Sequence, residues 1–211
     1  GEVKIKKNIP SNKNKEIFLS TYICHPSMAN NELSGPVVTT FLLDWISKLK
    51  LRKFNYRAVF IPETIGAITW LSLNENKISK IKHGLVATCV GDSGNSTYKK
   101  SRQGNAIIDK VVEKVLLESG QPYEIIDFFP SGSDERQFCS PAFDMPVGSL
   151  VRTLYGKFPQ YHTSADNLDF VKSQYLQDSF SKYLKTIFIL ENNVTYLNSN
   201  PKCEPQLGRR G

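Results

Sequence analysis

The stretch Glu16-Ile-Phe-Leu-Ser-Thr-Tyr-Ile-Cys24-His25-Pro26, together with the segment at residues 34–50, decides the reading of the fold. The first run is mainly apolar and β-branched, as a strand buried on both faces is, and Pro26 stops it. In the second, Val38, Phe41, Leu42, Trp45, Ile46 and Leu49 recur every three or four positions. That is the spacing of an amphipathic helix, with Ser34 expected as its cap and Gly35 permitting a close approach of the backbone. Strand followed by helix then recurs along the chain. Strands are predicted at residues 56–61, 84–90, 124–129 and 147–154, and helices at 65–73, 105–119 and 173–192, with Gly120 as a helix stop. Residues 1–7 read as a charged, alternating strand. Such alternation predicts an α/β three-layer sandwich, a mixed and mostly parallel twisted sheet with helices on both faces.

The chain has 211 residues, 40% of them hydrophobic and 11% aromatic, enough for one continuous core without disulfides or a structural metal. We therefore expect a single domain over residues 1–211. The abrupt stop after Gln206-Leu207-Gly208-Arg209-Arg210-Gly211 points to a fragment of a longer protein, with flanking domains absent. No apolar run reaches the roughly 18 residues a membrane-spanning helix needs, and no signal peptide opens the chain, so a soluble, cytoplasmic protein without a membrane partner is expected. The four cysteines, Cys24, Cys89, Cys139 and Cys203, form no CxxC pair and are expected reduced and mostly buried.

The net charge of +7 raises the question of a nucleic-acid or anionic surface. The basic clusters, at residues 4–15, 48–57, 77–82, 99–102 and 209–210, sit on unrelated elements and carry no aromatic RNA-binding pattern, so a solvated surface and no nucleic-acid partner are expected.

In open α/β sheets, ligands bind beyond the carboxyl ends of strands. His25, Glu63, Asp92 and Asp134 each follow a predicted strand, which argues for one shared site. Imidazoles and carboxylates drawn from several elements are the donors of a hydrolytic zinc site, where a carboxylate beside an open position serves as base. The Gly91-Asp-Ser-Gly94 phrase also occurs around the nucleophile of chymotrypsin-like serine proteases. Those are pairs of β-barrels, whereas this chain carries long amphipathic helices. His83, between Lys82 and Gly84, reads as a surface residue.

Five blocks carry a resemblance: Cys24-His-Pro-Ser27, Asn31-Glu-Leu-Ser-Gly-Pro36, Pro62-Glu-Thr-Ile-Gly66, Gly132-Ser-Asp-Glu135 and Tyr161-His-Thr-Ser164. In this order and spacing they resemble the co-catalytic zinc aminopeptidases. They are most similar to the aminopeptidase-like proteins encoded in bacterial polysaccharide-biosynthesis loci, over about residues 16–170. The resemblance implies a zinc-exopeptidase-like fold, with His25 and Asp92 as ligands of one metal, His162 as ligand of the other and Glu63 as general base. Two positions depart from the pattern: Asn31 stands where the bridging aspartate belongs, and Thr64 where the second glutamate belongs. Losing two carboxylates removes negative charge that a pair of dications needs, so one zinc is expected rather than two, held by His25 and Asp92 and completed by the Asn31 carbonyl, His162, Glu135 or water. Glu135 borders the site in the relatives and is expected to supply a carboxylate, while Asp134, Arg136 and Arg102 are expected to meet the substrate. The function implied is a metal-dependent, aminopeptidase-like amidohydrolase acting on a small or peptide-like amine or amide. The alternative is a catalytically altered binding domain of the same fold, linked to polysaccharide biosynthesis.

Overall fold

The computed structural model describes residues 1–10, 14–194, 196–199, 202, 203 and 208. Residues 206, 207 and 209–211 of the terminal stretch, with its paired arginines, lie outside the described residues. Among those described, one sheet is built from β1 (Glu2–Ile5), β2 (Glu16–Tyr22), β3 (Asn55–Ile61), β4 (Ile81–Val86), β5 (Ser96–Lys99), β6 (Tyr123–Ile126) and β7 (Val147–Val151), in the order β1-β3-β2-β4-β7-β5-β6. The helices are α1 (Ser34–Lys48), α2 (Ile65–Asn74), α3 (Ile107–Leu117), α4 (Glu135–Phe138) and α5 (Ser173–Asn192). The fold is the mixed α/β sandwich that the strand–helix alternation predicts.

Strand β2 is buried along its whole length, and its alternation divides the core. Ile17 and Leu19 pack with Val38, Leu42 and Ile46 of α1, Val112 of α3 and Ile187 of α5. Phe18 points the other way, to Ala67, Trp70 and Leu71 of α2 and Phe138 of α4. Helices thus cover both faces. Strands β2, β3, β4 and β7 run parallel, while β1 adds to the edge antiparallel to β3.

Three local readings are corrected. First, Ser96-Thr-Tyr-Lys99 is a strand that composition did not reveal, because it is short and half polar, yet all four residues are buried. Strand β5 lies antiparallel to β7, and β6 parallel to β5. The carboxyl end of β6 therefore leaves the sheet at the edge opposite to those of β2, β3 and β4, and residues 127–134 must carry the chain back before Asp134 can join the others. Second, Ser34 is not a cap. A π-helical turn, Ala29–Leu33, runs straight into α1, and the Ser34 hydroxyl donates back to the Asn30 carbonyl while accepting from the Val90 amide at 3.1 Å. Gly35 beside it leaves no room for a side chain, since a Cβ there would sit 2.2 Å from the Ala87 carbonyl oxygen and 2.5 Å from Thr21 Oγ1. Third, His83 is buried rather than exposed, because the pleat of β4 turns it edge-on against Phe54, with ring centroids 5.5 Å apart.

Burial, helped by the charges of Lys15 and Lys82, pushes the His83 imidazole down to about 4. A histidine depressed in the fold resists the proton that the unfolded chain accepts below its ordinary value of 6.5. Its contribution is therefore whole above pH 6.5 and is lost as pH falls toward 4. We expect that loss to be about 3 kcal/mol. Urea unfolding at both pH values, on the parent and on His83→Phe, measures it: the difference in pH dependence disappears if His83 is not the titrating group.

No helix among the described residues is long and apolar enough to cross a membrane. All four cysteines are free; Cys89 and Cys139 are buried as expected, whereas Cys24 and Cys203 are exposed.

Candidate active site

Because β2 and β3 are parallel neighbours, the residues just beyond them, His25 and Glu63, arrive at the same edge of the sheet. His25 Nε2 lies 3.6 Å from Glu63 Oε2. The other ring nitrogen of His25 is held 3.1 Å from Glu32 Oε2, an oxygen that also accepts the His25 backbone amide at 2.9 Å. Carboxylate support of this kind fixes the ring orientation and turns Nε2 toward Glu63. Glu32 belongs to the π-helical turn and was not anticipated as a site residue. Cys24 Sγ completes this corner, 3.2 Å from His25 Nδ1 and accepting the Glu63 amide at 3.1 Å.

Glu63 is presented by a strained backbone. The Ile65 amide bonds the Glu63 carbonyl at 2.7 Å across Thr64, whose φ of 60° and ψ of −71° define a positive-φ γ-turn, a rare and costly conformation. Asp134 holds the turn by accepting the Thr64 amide at 2.7 Å, and Arg136 Nη2 donates to the Thr64 hydroxyl at 2.8 Å. Burial lifts the Glu63 carboxyl above the usual carboxylate range, opposed by the charges of His25 and Arg136. Burial also pushes Asp134 up to about 7, with Glu63 and Glu135 adding to the rise.

His162 closes the site from a distant loop, itself at a φ of 56°. Its ring centroid is 4.9 Å from that of His25, and its Nε2 is 3.5 Å from Asn31 Nδ2. Stacking on Tyr161, with centroids 3.9 Å apart, sets its plane, and burial lowers its pKa. Asn31 is buried, and its side-chain oxygen faces Cys89 Sγ at 3.7 Å. Asp166 accepts the backbone amides of Asn30 and Asn31 at 2.6 and 3.0 Å and so locks the π-helical turn.

His25 is thus near Glu63 and His162, and His162 near Asn31, while the other expected site residues have contacts of their own. The Asp92 carboxylate is buried and accepts from Asn30 Nδ2 at 2.9 Å, the Gly94 amide at 2.7 Å and Thr153 Oγ1 at 2.5 Å. Glu135 is fully buried and paired with the equally buried Lys99 at 2.8 Å, so it is closed off from a substrate. Arg102 donates to the Cys139 carbonyl at 2.6 Å and stacks on Phe128. Asp134 and Arg136 both bond to Thr64, the residue after Glu63.

The donor set fits one divalent ion. With Nδ1 turned to Glu32, His25 Nε2 and Glu63 Oε2 face each other, and the second imidazole, with the Asn31 side chain beside it, lies next to His25. Two imidazoles and a third light donor beside an open position is the pattern of a catalytic zinc site. Asn31 and Thr64 bring no negative charge to it, and the Thr64 hydroxyl is already taken by a cationic side chain. Among the described residues, the group of histidine, cysteine and acidic side chains whose ligand atoms fall within 4.8 Å of one another is Cys24, His25 and Glu63.

The sheet order and the placement of the site define the class: this is the fold of the zinc aminopeptidases. A zinc aminopeptidase from Bacillus subtilis, 13% identical, superposes with a TM-score of 0.74 over 90% of this chain and 49% of its own. An aminopeptidase from Aneurinibacillus sp. strain AM-1, 20% identical, does so at 0.75 over 97% and 50%. The chain belongs to the family described as a domain of unknown function, DUF4910, whose profile matches residues 1–193. Among its relatives, a Clostridium acetobutylicum protein named for polysaccharide biosynthesis with an aminopeptidase-like domain is 59% identical over 197 residues, 93% of this chain and 45% of that protein. A crystal structure of a candidate peptidase from the same bacterium is 56% identical, with a TM-score of 0.88 over 100% of this chain and 48% of its own. The chain thus spans slightly less than half the length of these two relatives.

Proposed function

We propose that this domain is a zinc-dependent, aminopeptidase-like amidohydrolase with a single metal ion. The observation that carries the reading is that His25 lies near Glu63 and His162, and His162 near Asn31, with Glu63 aimed by a strained turn. A zinc ion held by the two imidazoles and the Asn31 side chain would polarise an amide carbonyl and make a water molecule more acidic. A half-turn of the Asn31 amide offers its oxygen in the same outline as its nitrogen. Glu63 takes the proton from the attacking water and passes it to the departing amine, and its γ-turn keeps the carboxylate in place between the two transfers. Glu32 holds His25 in the orientation that turns Nε2 toward Glu63.

The substrate is a small or peptide-like molecule with a scissile amide. Beside His25 an open pocket of about 370 Å³, lined by Ile23, Cys24, Met28, Glu32 and Leu33, offers a mainly apolar seat for a side chain. Glu32 and Glu63 give the same corner the charge that attracts a free amine. The four free thiols accord with a reducing compartment, and we place the domain in the cytoplasm. The name of the 59% identical relative supports a role beside polysaccharide synthesis.

Metal analysis of protein purified without chelator tests the reading. We expect about one zinc per chain in the parent and almost none in His25→Ala and in His162→Ala, both still folded. No zinc in the parent at any buffered zinc concentration would leave a binding domain on an inherited fold, the outcome that the neutral Asn31 and Thr64 favour.

A further inference from the structure

We propose that the Arg136 guanidinium is the second cation of this site, standing permanently where a second metal ion would need carboxylates that the chain lacks. The inference rests on the one-zinc reading above. Its geometry is independent of that reading: Arg136 Nη2 is bonded at 2.8 Å to Thr64, the residue directly after Glu63, and Arg136 Nε is buried with no hydrogen-bond partner among the described residues.

Charge explains the exchange. A dication is held by neutralising oxygens, and the two nearest candidates, Asn31 and Thr64, are neutral. A guanidinium needs less: it carries a single delocalised charge, is weakly hydrated, and is content with a hydroxyl and neighbouring carboxylates. Arg136 has the Thr64 hydroxyl at 2.8 Å, and Glu63 and Asp134 are the carboxylates on which its charge acts, without a direct ion pair to either among the described residues. It arrives from α4, whose first residue, Glu135, is clamped by Lys99, so its position is built into the fold rather than acquired from solution. Its charge persists at every working pH, whereas a weakly held metal leaves with a chelator.

The test counts metal rather than activity. Thr64→Glu with Asn31→Asp restores both carboxylates, in three forms: with Arg136 kept, with Arg136→Lys, and with Arg136→Ala. After equilibration in buffered zinc, we expect about one ion per chain in the parent and in the two forms that keep a cation, rising to about two with Arg136→Ala. Two ions in the parent, or one in the folded Arg136→Ala form, overturns the proposal while leaving the hydrolase reading intact. No zinc in the parent overturns both. Folding is judged by near-ultraviolet circular dichroism. If the triple variant does not fold, Thr64→Glu with Arg136→Ala is read the same way, two ions supporting the arginine's role and one refuting it.

Discussion

Glu63→Gln lowers hydrolysis of aminoacyl p-nitroanilides by about a thousandfold while leaving zinc content unchanged, if the carboxylate serves as base. General base catalysis contributes roughly 10²–10⁴ in rate, and an amide of the same shape cannot accept the proton. Glutamine keeps the backbone of the γ-turn, the Thr64 amide bond to Asp134 and the contact with Arg136, so the structural cost is small. The imidazoles of His25 and His162 are untouched, which is why metal content is the control. Turnover and zinc falling together would make Glu63 a ligand instead. Unchanged turnover with zinc retained would remove it from the chemistry altogether.

The largest stability effect falls on a pair with no part in that chemistry. Lys99 and Glu135 are both fully buried, and the ammonium spends its three donors on Glu135 at 2.8 Å, the Ser131 carbonyl at 2.6 Å and the Tyr155 hydroxyl at 3.2 Å. Phe129 covers it, with the ring centroid 3.7 Å away. Lys99→Met leaves the Glu135 carboxylate buried and uncompensated, and one of its oxygens already has no partner. We expect the single variant to cost about 3–5 kcal/mol, and Lys99→Met with Glu135→Gln to recover most of it. Urea unfolding around the double-mutant cycle reads this directly; additive costs would mean that the two groups are not coupled. The pair also matters indirectly, because Glu135 sits between the Asp134 that holds the γ-turn and the Arg136 that bonds Thr64.

The frame of this molecule was largely legible because strand alternation and helical periodicity are local signals. The order of β2, α1, β3 and α2, and the arrival of His25 and Glu63 at one edge, followed from them. What escaped reading was set by contacts far apart in sequence. Ser96-Thr-Tyr-Lys99 becomes a strand only because β6 and β7 flank it, and nothing in four residues announces that. His83 looked exposed between Lys82 and Gly84, yet the strand's pleat and Phe54 bury it. Asp92 looked like a site residue because it follows a predicted strand, and Glu135 because a motif block contains it, while the contacts that engage them, with Thr153 and Lys99, lie 61 and 36 residues away and could not be read locally. Glu32 was overlooked although it lies only seven residues from His25, because a π-helical turn, not an ordinary helix start, points it back.

The bonds from Asp166 to the amides of Asn30 and Asn31 close loops of 136 and 135 residues. Loop closure over such a distance is among the last contacts a chain can make, since most of its entropy must already have been given up. A growing polypeptide therefore displays β2 and its histidine long before the ribosome has supplied Asp166 or His162. The proposed metal pocket would exist only once synthesis has passed those residues, so an ion bound there would be acquired by a finished domain and would serve as a seal on its folding rather than as a seed for it.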